Sequence, residues 1–232
     1  MIKAVVFDMD DTLFAESEYV LSGFAAVDQS LSAKGVSGFY EKSKELFKDG
    51  HRGSIFNDVL DYLNVPYCKN DIVKLVAIYR EHKPAITMLD DAKWAVEELK
   101  SMYKLGLITD GYLDAQQNKA KALHLEKDFD VLIFTDQFGR EHWKPSEKPY
   151  IEVKKLLNKE HHELIYIGDN PTKDFIAARS LGWKTIHIVR EGSEYSGVEY
   201  SAEYEADYKI KSLYDLPKLI EQIKFTQKVR KD

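Results

Sequence analysis

The sequence predicts an α/β protein built on a parallel sheet, with a helical segment inserted after the first strand. Short apolar and β-branched runs occupy residues 2–7, 105–108, 131–134, 164–167 and 185–189. Helical patterns separate these runs, and alternating strand and helix is typical of a parallel sheet covered by helices. A possible edge strand at 206–210 and a closing helix at 213–223 complete the predicted core.

Between Phe14 and about Thr87 the strand pattern disappears and helical periodicity replaces it. We therefore predict a core domain of residues 1–13 and 88–232 and an inserted, all-helical domain of residues 14–87. Two apolar stripes mark its helices, and we interpret both as packing surfaces: Val20, Phe24, Val27 and Leu31, then Ile72, Leu75, Val76 and Tyr79.

Composition narrows the classes of partner. With 44 % hydrophobic and 31 % charged residues, the 232-residue chain resembles globular proteins. Its 39 acidic against 33 basic residues give a net charge of -6, which argues against nucleic acid as a partner. The basic residues Lys228, Arg230 and Lys231 are expected to form a solvated terminus, and residues 193–205 a surface loop.

A cytoplasmic location without membrane attachment is expected. The opening apolar run is too short for a signal peptide or a membrane span, and the one cysteine, Cys68, cannot form an internal disulfide. We expect Cys68 to be a buried or half-buried side chain, because no reactive motif surrounds it.

Polar side chains follow several of the predicted strands directly. They are Asp8, Thr109, Thr135 and Asp169. In open parallel sheets a ligand binds beyond the carboxyl ends of the strands, so these side chains are expected to converge on one crevice.

Four short motifs then occur in a fixed order: DMDDTL from Asp8, LITDG ending at Gly111, KPSEKPY from Lys144 and GDNPTKD ending at Asp174. In this order they resemble the four motifs of the haloacid dehalogenase superfamily, and the resemblance extends from Ile2 to about Val189. It implies a Rossmann-like, doubly wound parallel sheet. The helical insertion resembles the cap found between the first and second motifs in one branch of that superfamily.

The resemblance implies a phosphatase that cleaves small phosphate monoesters. Asp8 would be the nucleophile that forms an aspartyl-phosphate, and Asp10 the general acid and base. Mg²⁺ would be held by the Asp8 carboxylate, the Asp10 backbone carbonyl and the Asp169 carboxylate. A small phosphorylated metabolite is the expected partner, and the oligomeric state stays open.

Further roles follow from the remaining motifs. Thr109, with backbone N–H groups at Asp110, would bind phosphoryl oxygens, and Lys144 would stabilise the transition state. Lys144 is preferred over Lys148 because Ser146 is predicted to cap a helix that contains Lys148. Asp174 would act behind the metal ligands or orient a lysine.

One more residue of the first motif and two residues of the insertion complete the predicted site. Asp11 is expected to face away from the metal and to cap the next helix. In the insertion, His51 and Arg52 lie between Gly50 and Gly53. They are predicted to contact an anionic or hydroxyl-rich leaving group. The alternative is that Arg52 covers a helix end in solvent.

Two rival functions stay open, and a third is disfavoured. A phosphomutase would use the same residues, and a non-enzymatic binding protein on this scaffold would be expected to lose Asp8 or Asp10. A dehalogenase is disfavoured, because Asp10 supplies an acid that a halide leaving group does not need.

Overall fold

The computed structural model describes residues 1–190 and 200–229. Residues 193–199 of the predicted surface loop, and Arg230 and Lys231 of the basic terminus, lie outside the described residues. The strands are β1 (Ala4–Phe7), β2 (Lys104–Thr109), β3 (Val131–Phe134), β4 (Leu164–Gly168), β5 (Lys184–Ile188) and β6 (Tyr208–Ile210). The α-helices are α1 (Glu16–Ser32), α2 (Phe39–Lys48), α3 (Ile55–Tyr62), α4 (Lys69–Glu81), α5 (Asp90–Leu99), α6 (Leu113–Ala122), α7 (Lys148–Leu157), α8 (Ile176–Ser180) and α9 (Leu216–Val229).

The described strands form one parallel sheet in the order β3-β2-β1-β4-β5-β6. This is the doubly wound order, with β1 in the middle and the chain direction across the sheet reversing between β1 and β4. The predicted α/β fold is therefore confirmed. Strand limits shift by one or two residues, and the edge strand β6 is shorter than predicted.

Alternating side chains of the central strands divide the core into two layers. Val5 and Phe7 of β1 pack in one cluster with α5 and α9, whereas Ala4 and Val6 pack in the other with α7 and α8. All of β1 and β4 is buried, as expected for parallel strands that are covered on both faces. The sheet is thus a rigid platform for the residues that follow its strands.

Helices α1 to α4 pack around an apolar cluster of their own, which includes Phe24, Val27, Val59 and Leu75. Phe14 and Ile86, near the two ends of this helical segment, are instead buried in the core cluster on the α5 side of the sheet. Contacts of Phe14 and Ile86 therefore tie the helical segment to the sheet at both of its connections.

Two acidic side chains accept hydrogen bonds at the starts of helices α1 and α4. The Asp11 Oδ1 atom accepts a hydrogen bond from the Glu16 N–H at 2.9 Å, so Asp11 satisfies the first N–H of α1, although Ala15 occupies the N-cap itself. The prediction that Cys68 is buried or half-buried is wrong: Cys68 is exposed, because it occupies the N-cap of α4. There its backbone N–H and Sγ both donate to Asp71, each at 3.0 Å.

Within residues 1–190 and 200–229, no helix combines the length and the apolar character needed to cross a membrane.

Candidate active site

The loop after β1 carries Asp8 and Asp10 to the edge of the sheet. The Asp8 N–H donates to the Ile167 carbonyl at 2.8 Å, which extends the pairing of β1 with β4. Arg190 holds the next two residues, donating to the carbonyls of Asp11 at 3.2 Å and Thr12 at 2.7 Å. The loop is thus held at its start by a backbone hydrogen bond and further along by the Arg190 side chain.

Arg190 itself is anchored by Asp91 at the start of α5, with two hydrogen bonds of 3.1 Å. Burial would raise the pKa of Asp91, but the hydrogen bonds from Arg190, the Leu213 N–H and Ser212 lower it overall. The Asp91 carboxylate is therefore held ionised, and it joins β5, α5 and the start of the C-terminal helix behind the catalytic loop.

Lys144 connects the first and last motifs. Its Nζ atom lies 2.5 Å from Asp8 Oδ1 and 2.8 Å from Asp174 Oδ1, and the lysine side chain has no exposed surface. Tyr166 Oη accepts a third hydrogen bond from Lys144 at 3.1 Å. The two carboxylates raise the pKa of Lys144, although its burial acts in the opposite direction. Lys144 is therefore a buried, permanent cation beside Asp8.

Lys144 and Lys148 are separated as expected, although the cap of α7 is not the predicted one. Glu147, not Ser146, occupies the N-cap, and Ser146 Oγ accepts from the Lys148 N–H at 3.3 Å. The helix therefore starts one residue later than predicted, and Ser146 still satisfies the N–H of its first residue. Lys148 is exposed, and its Nζ lies 5.7 Å from the centre of the Phe138 ring.

Three buried aspartates form a possible cation site. One carboxylate oxygen each from Asp8, Asp169 and Asp174 lies within 4.8 Å of the others. Burial, opposed by Lys144 and assisted by Asp174, raises the pKa of Asp8 to about 7. Burial and the neighbouring Asp174 and Asp8 raise the pKa of Asp169 as well. These carboxylates thus crowd into a site that favours a positive charge among them.

Asp174 differs from the other two aspartates because donors already engage both of its oxygens. Oδ1 accepts from Lys144 at 2.8 Å and Oδ2 from the Asn170 N–H at 2.9 Å. A side chain at Gly168 would collide with Asp174 Oδ2, so glycine is required at that position. Asp174 is thus bonded directly to Lys144, a contact that the predicted role of orienting a lysine requires.

Thr109 and Asp110 follow β2 and differ in their contacts. Thr109 Oγ1 is buried and has no hydrogen-bond partner among the described residues. The Asp110 carboxylate instead accepts from Thr135 Oγ1 at 2.8 Å and from the Lys144 N–H at 3.1 Å. Thr109 thus offers an unused hydroxyl, while the Asp110 side chain fixes the loop that carries Lys144.

Asp10 has two partners on α6 that the motifs did not indicate. Lys119 Nζ donates to its Oδ1 at 2.7 Å and Gln116 Nε2 to its Oδ2 at 2.9 Å. Gln116 also donates to the Asp110 carbonyl, close to Gly111, where a side chain would collide with the amide. The one sequence signal for these contacts is that Gln116 and Lys119 are polar and three positions apart, so they share a helix face.

A cleft of about 600 Å³ lies between the sheet edge and helices α1, α3 and α4, and its core side is lined by Asp8, Asp10, Asp110, Asp169, Lys119 and Lys144. Asp174 lies behind them and is fully buried. The core side of the cleft includes Tyr112 and Trp143. The Arg80 guanidinium of α4 lies 3.4 Å from the centre of the Tyr112 ring, which is a contact between the two sides.

The loop with His51 and Arg52, which was predicted to contact the leaving group, lies only partly at this cleft. Arg52 lines it, but its Nη1 atom donates to the carbonyls of Phe47 at 2.9 Å and His51 at 2.8 Å. Its guanidinium also lies 4.1 Å from the centre of the Phe47 ring, at the end of α2. His51 is exposed and is not among the lining residues. Arg52 therefore covers a helix end and borders the cleft at the same time.

A known protein family matches the part of the chain that carries this site. The model of the family described as haloacid dehalogenase-like hydrolase matches residues 5–188. The chain belongs to this family. The four motifs that resembled the superfamily all lie within the matched residues.

Curated relatives of the hydrolase match it over nearly its whole length. The glyceraldehyde 3-phosphate phosphatase of Methanocaldococcus jannaschii is 29 % identical, over 97 % of this chain and 99 % of the relative. The pyrophosphatase PpaX of Bacillus mycoides is 24 % identical, over 96 % and 98 %. The hydrolase is thus a phosphatase-like member of the superfamily.

The fold also matches that of solved family members. A crystal structure of the 2-haloacid dehalogenase from Pseudomonas syringae pv. Tomato DC3000 superposes with a TM-score of 0.66 at 22 % identity, covering 96 % of this chain and 99 % of that one. At this identity the match establishes the shared fold alone.

A first prediction concerns Lys119, which is 4 % exposed and holds the Asp10 carboxylate. Lys119→Met should lower kcat by about tenfold or more, because Asp10 loses a charged hydrogen bond of the kind worth about 1.5–3 kcal/mol. The kcat and KM values should be measured separately, with a pH–rate profile. Positioning of the acid and base predicts a change in kcat and in the profile at nearly constant KM.

Lys121→Met on the same helix is the matched control, because Lys121 is exposed. Equal kcat values and unchanged pH profiles for the two variants would show that Lys119 does not act through Asp10.

Proposed function

We propose that this hydrolase is a Mg²⁺-dependent phosphatase that cleaves small phosphate monoesters through an aspartyl-phosphate on Asp8. The observation that carries the proposal is the buried Lys144, which bridges Asp8 and Asp174 beside Asp169. Asp8 and Asp169 follow neighbouring strands, and Lys144 lies beside Asp8. A nucleophilic carboxylate, a second carboxylate for a metal and a nearby cation are groups suited to phosphoryl transfer.

The donor set fits magnesium. Asp8 and Asp169 offer carboxylate oxygens, which are the ligands that Mg²⁺ prefers, and within the described residues neither histidine nor cysteine joins the cluster. The Asp10 backbone carbonyl is the third proposed ligand, since the Asp10 side chain is turned towards α6. Bound Mg²⁺ would supply positive charge that lets a phosphate approach these carboxylates.

The first half of the reaction breaks the ester bond. An oxygen of Asp8 attacks phosphorus and forms the acyl-phosphate bond while the bond from phosphorus to the leaving oxygen breaks. Asp10, protonated at this stage, gives its proton to that leaving oxygen, and the alcohol departs. Lys119 and Gln116 can hold Asp10 in place during this step, because a protonated carboxyl group still accepts hydrogen bonds while it donates its proton.

The second half restores the enzyme. Asp10, now ionised, removes a proton from a water molecule that attacks phosphorus, and the bond between phosphorus and Asp8 breaks. Inorganic phosphate leaves, Asp8 is again a carboxylate and Asp10 is protonated. Lys144 and the Thr109 hydroxyl stabilise the negative phosphoryl oxygens in both halves.

The hypothesis of a phosphate-ester hydrolase is favoured over the phosphomutase and the binding-protein alternatives. Both curated relatives described above are named for phosphatase or pyrophosphatase activity. Asp8, Asp10 and Lys144 are all present at one cleft, which supports a catalytic member over a binding protein. Small phosphorylated metabolites are the proposed substrates, since the cavity of about 600 Å³ accepts ligands of that size.

The test is the magnesium dependence of hydrolysis in wild type and Asp169→Asn. Phosphate release should stop with EDTA and return with Mg²⁺, and the variant should need at least about tenfold more Mg²⁺, because it loses a charged ligand. The rise in Tm on adding Mg²⁺, followed without substrate, should shrink in parallel.

Phosphate release that continues unchanged in EDTA would contradict the proposed metal site. Transfer of phosphate to a sugar in place of water would favour the phosphomutase.

A further inference from the structure

The helical side of the cleft is apolar. Six side chains that line it, here called the apolar wall, are Val20, Phe24, Phe56, Ile72, Val76 and Tyr79. Five of them recur at intervals of three or four residues on α1 and α4, so one face of each of these helices is presented to the cleft, and Phe56 adds to the wall from α3. The wall therefore results from the helical spacing of apolar residues and does not depend on the rotamer of one side chain.

The wall is also preformed. Phe24, Phe56 and Tyr79 contact one another with ring centres 5.7 to 6.2 Å apart. Val76 is half-buried and lines the cleft, but it does not belong to the apolar cluster inside the helical segment. Its methyl groups are thus available to a ligand in the cleft.

Charged and amide groups on this side are few, and three of the four already have partners. Across α1 to α4 and their loops, all of which the structure describes, the charged and amide lining side chains are Glu16, Arg52, Asn57 and Arg80. Arg52 is bonded to backbone carbonyls, Arg80 stacks on Tyr112, and Asn57 donates to Tyr67 Oη at 3.3 Å. A hydroxyl-rich leaving group would lose hydration here without regaining comparable hydrogen bonds.

We propose that this phosphatase selects phosphate esters whose leaving group is an apolar organic group, which lies against the apolar wall while the phosphate binds at Asp8. The inference rests on the proposed function for the position of the phosphate. It differs from the expectation of an anionic or hydroxyl-rich leaving group at His51 and Arg52, because the wall and not that loop provides most of the surface.

Two homologous series test this selectivity separately from catalysis. The first is the binding of n-alkylphosphonates from ethyl to hexyl to the Mg²⁺-loaded wild type, measured by calorimetry. Each added methylene should tighten Kd by up to about fourfold, and the whole series by at least about thirtyfold, as burial of CH₂ groups predicts. At equal length, propylphosphonate should bind more tightly than 2,3-dihydroxypropylphosphonate.

The second series is the hydrolysis of n-alkyl phosphates from ethyl to hexyl. Their leaving oxygens have nearly the same basicity, so kcat/KM should rise with chain length through binding alone. Length-dependent phosphonate binding without any hydrolysis would overturn the proposed function but support the wall. Hydrolysis and binding that do not change with chain length would overturn the wall and leave the phosphatase intact.

A matched pair of variants on α4 locates the effect. Val76→Thr keeps the shape of the side chain but adds a hydroxyl to the wall, so hexylphosphonate should bind about fivefold more weakly while ethylphosphonate changes little. Val73→Thr is the control, because Val73 is 56 % exposed on the same helix. Equal losses for the two variants would reject the assignment of the leaving group to this wall.

Discussion

Asp8→Asn should lower phosphate-ester turnover by at least about a thousandfold, because the amide cannot act as the nucleophile that takes the phosphoryl group. The substitution is nearly isosteric, and Lys144 keeps Asp174 and Tyr166 as partners. The Tm should therefore stay close to that of the wild type. Initial rates of phosphate release and thermal unfolding of the same preparations provide the two measurements.

The control for this loss is Asp11→Asn, three residues further along the same loop. Asparagine retains an oxygen that can accept the 2.9 Å hydrogen bond from the Glu16 N–H, so the first N–H of α1 keeps its partner. Turnover of this variant should stay within about twofold of the wild type, as for a substitution that preserves its contacts. Normal turnover by Asp8→Asn would exclude Asp8 as the nucleophile.

Lys144→Met should lower both turnover and stability. It removes the cation beside Asp8, for which we expect a loss in kcat of about a hundredfold or more. It also leaves two buried carboxylates without their counter-ion, and breaking a buried pair in this way costs about 3–5 kcal/mol. The free energy of unfolding from denaturant titration should fall accordingly, and turnover should be measured well below the Tm.

Two further variants separate catalysis from folding at Lys144. Lys148→Met removes an exposed lysine of the same motif and should change neither quantity by more than the small amounts typical of surface substitutions. Lys144→Met combined with Asp174→Asn removes one of the stranded charges and should recover part of the lost stability, but not the turnover. A larger loss of turnover at Lys148 would assign the catalytic role to that residue instead.

Much of the fold could be predicted because its signals are local. The strands are apolar runs buried on both faces, and a parallel sheet buries its strands in that way. The edge strand β6 was harder to delimit, because it is three residues long and half-exposed at its first residue. The N-cap of α7 lies one residue after the predicted Ser146, because the Ser146 hydroxyl reaches the first helical N–H from the position before the N-cap.

Part of the candidate site could also be predicted, for a topological reason. Asp8, Thr109 and Asp169 each end a parallel strand or follow it, and carboxyl ends of neighbouring parallel strands meet at one edge of the sheet. The roles proposed for Lys144 and Asp174 agree with their contacts, although their order in the chain alone did not show that they touch.

By itself the sequence determined the strand order along the chain, the residues that end each strand and the family whose motifs they match. Tertiary structure alone decided which donors bind each carboxylate. Lys119 and Asp10 are 109 positions apart, and their contact depends on how α6 packs against the loop after β1. It also decided that part of an apolar helical stripe faces the cleft, because side chains that fill a core and side chains that line a cavity are equally hydrophobic in sequence.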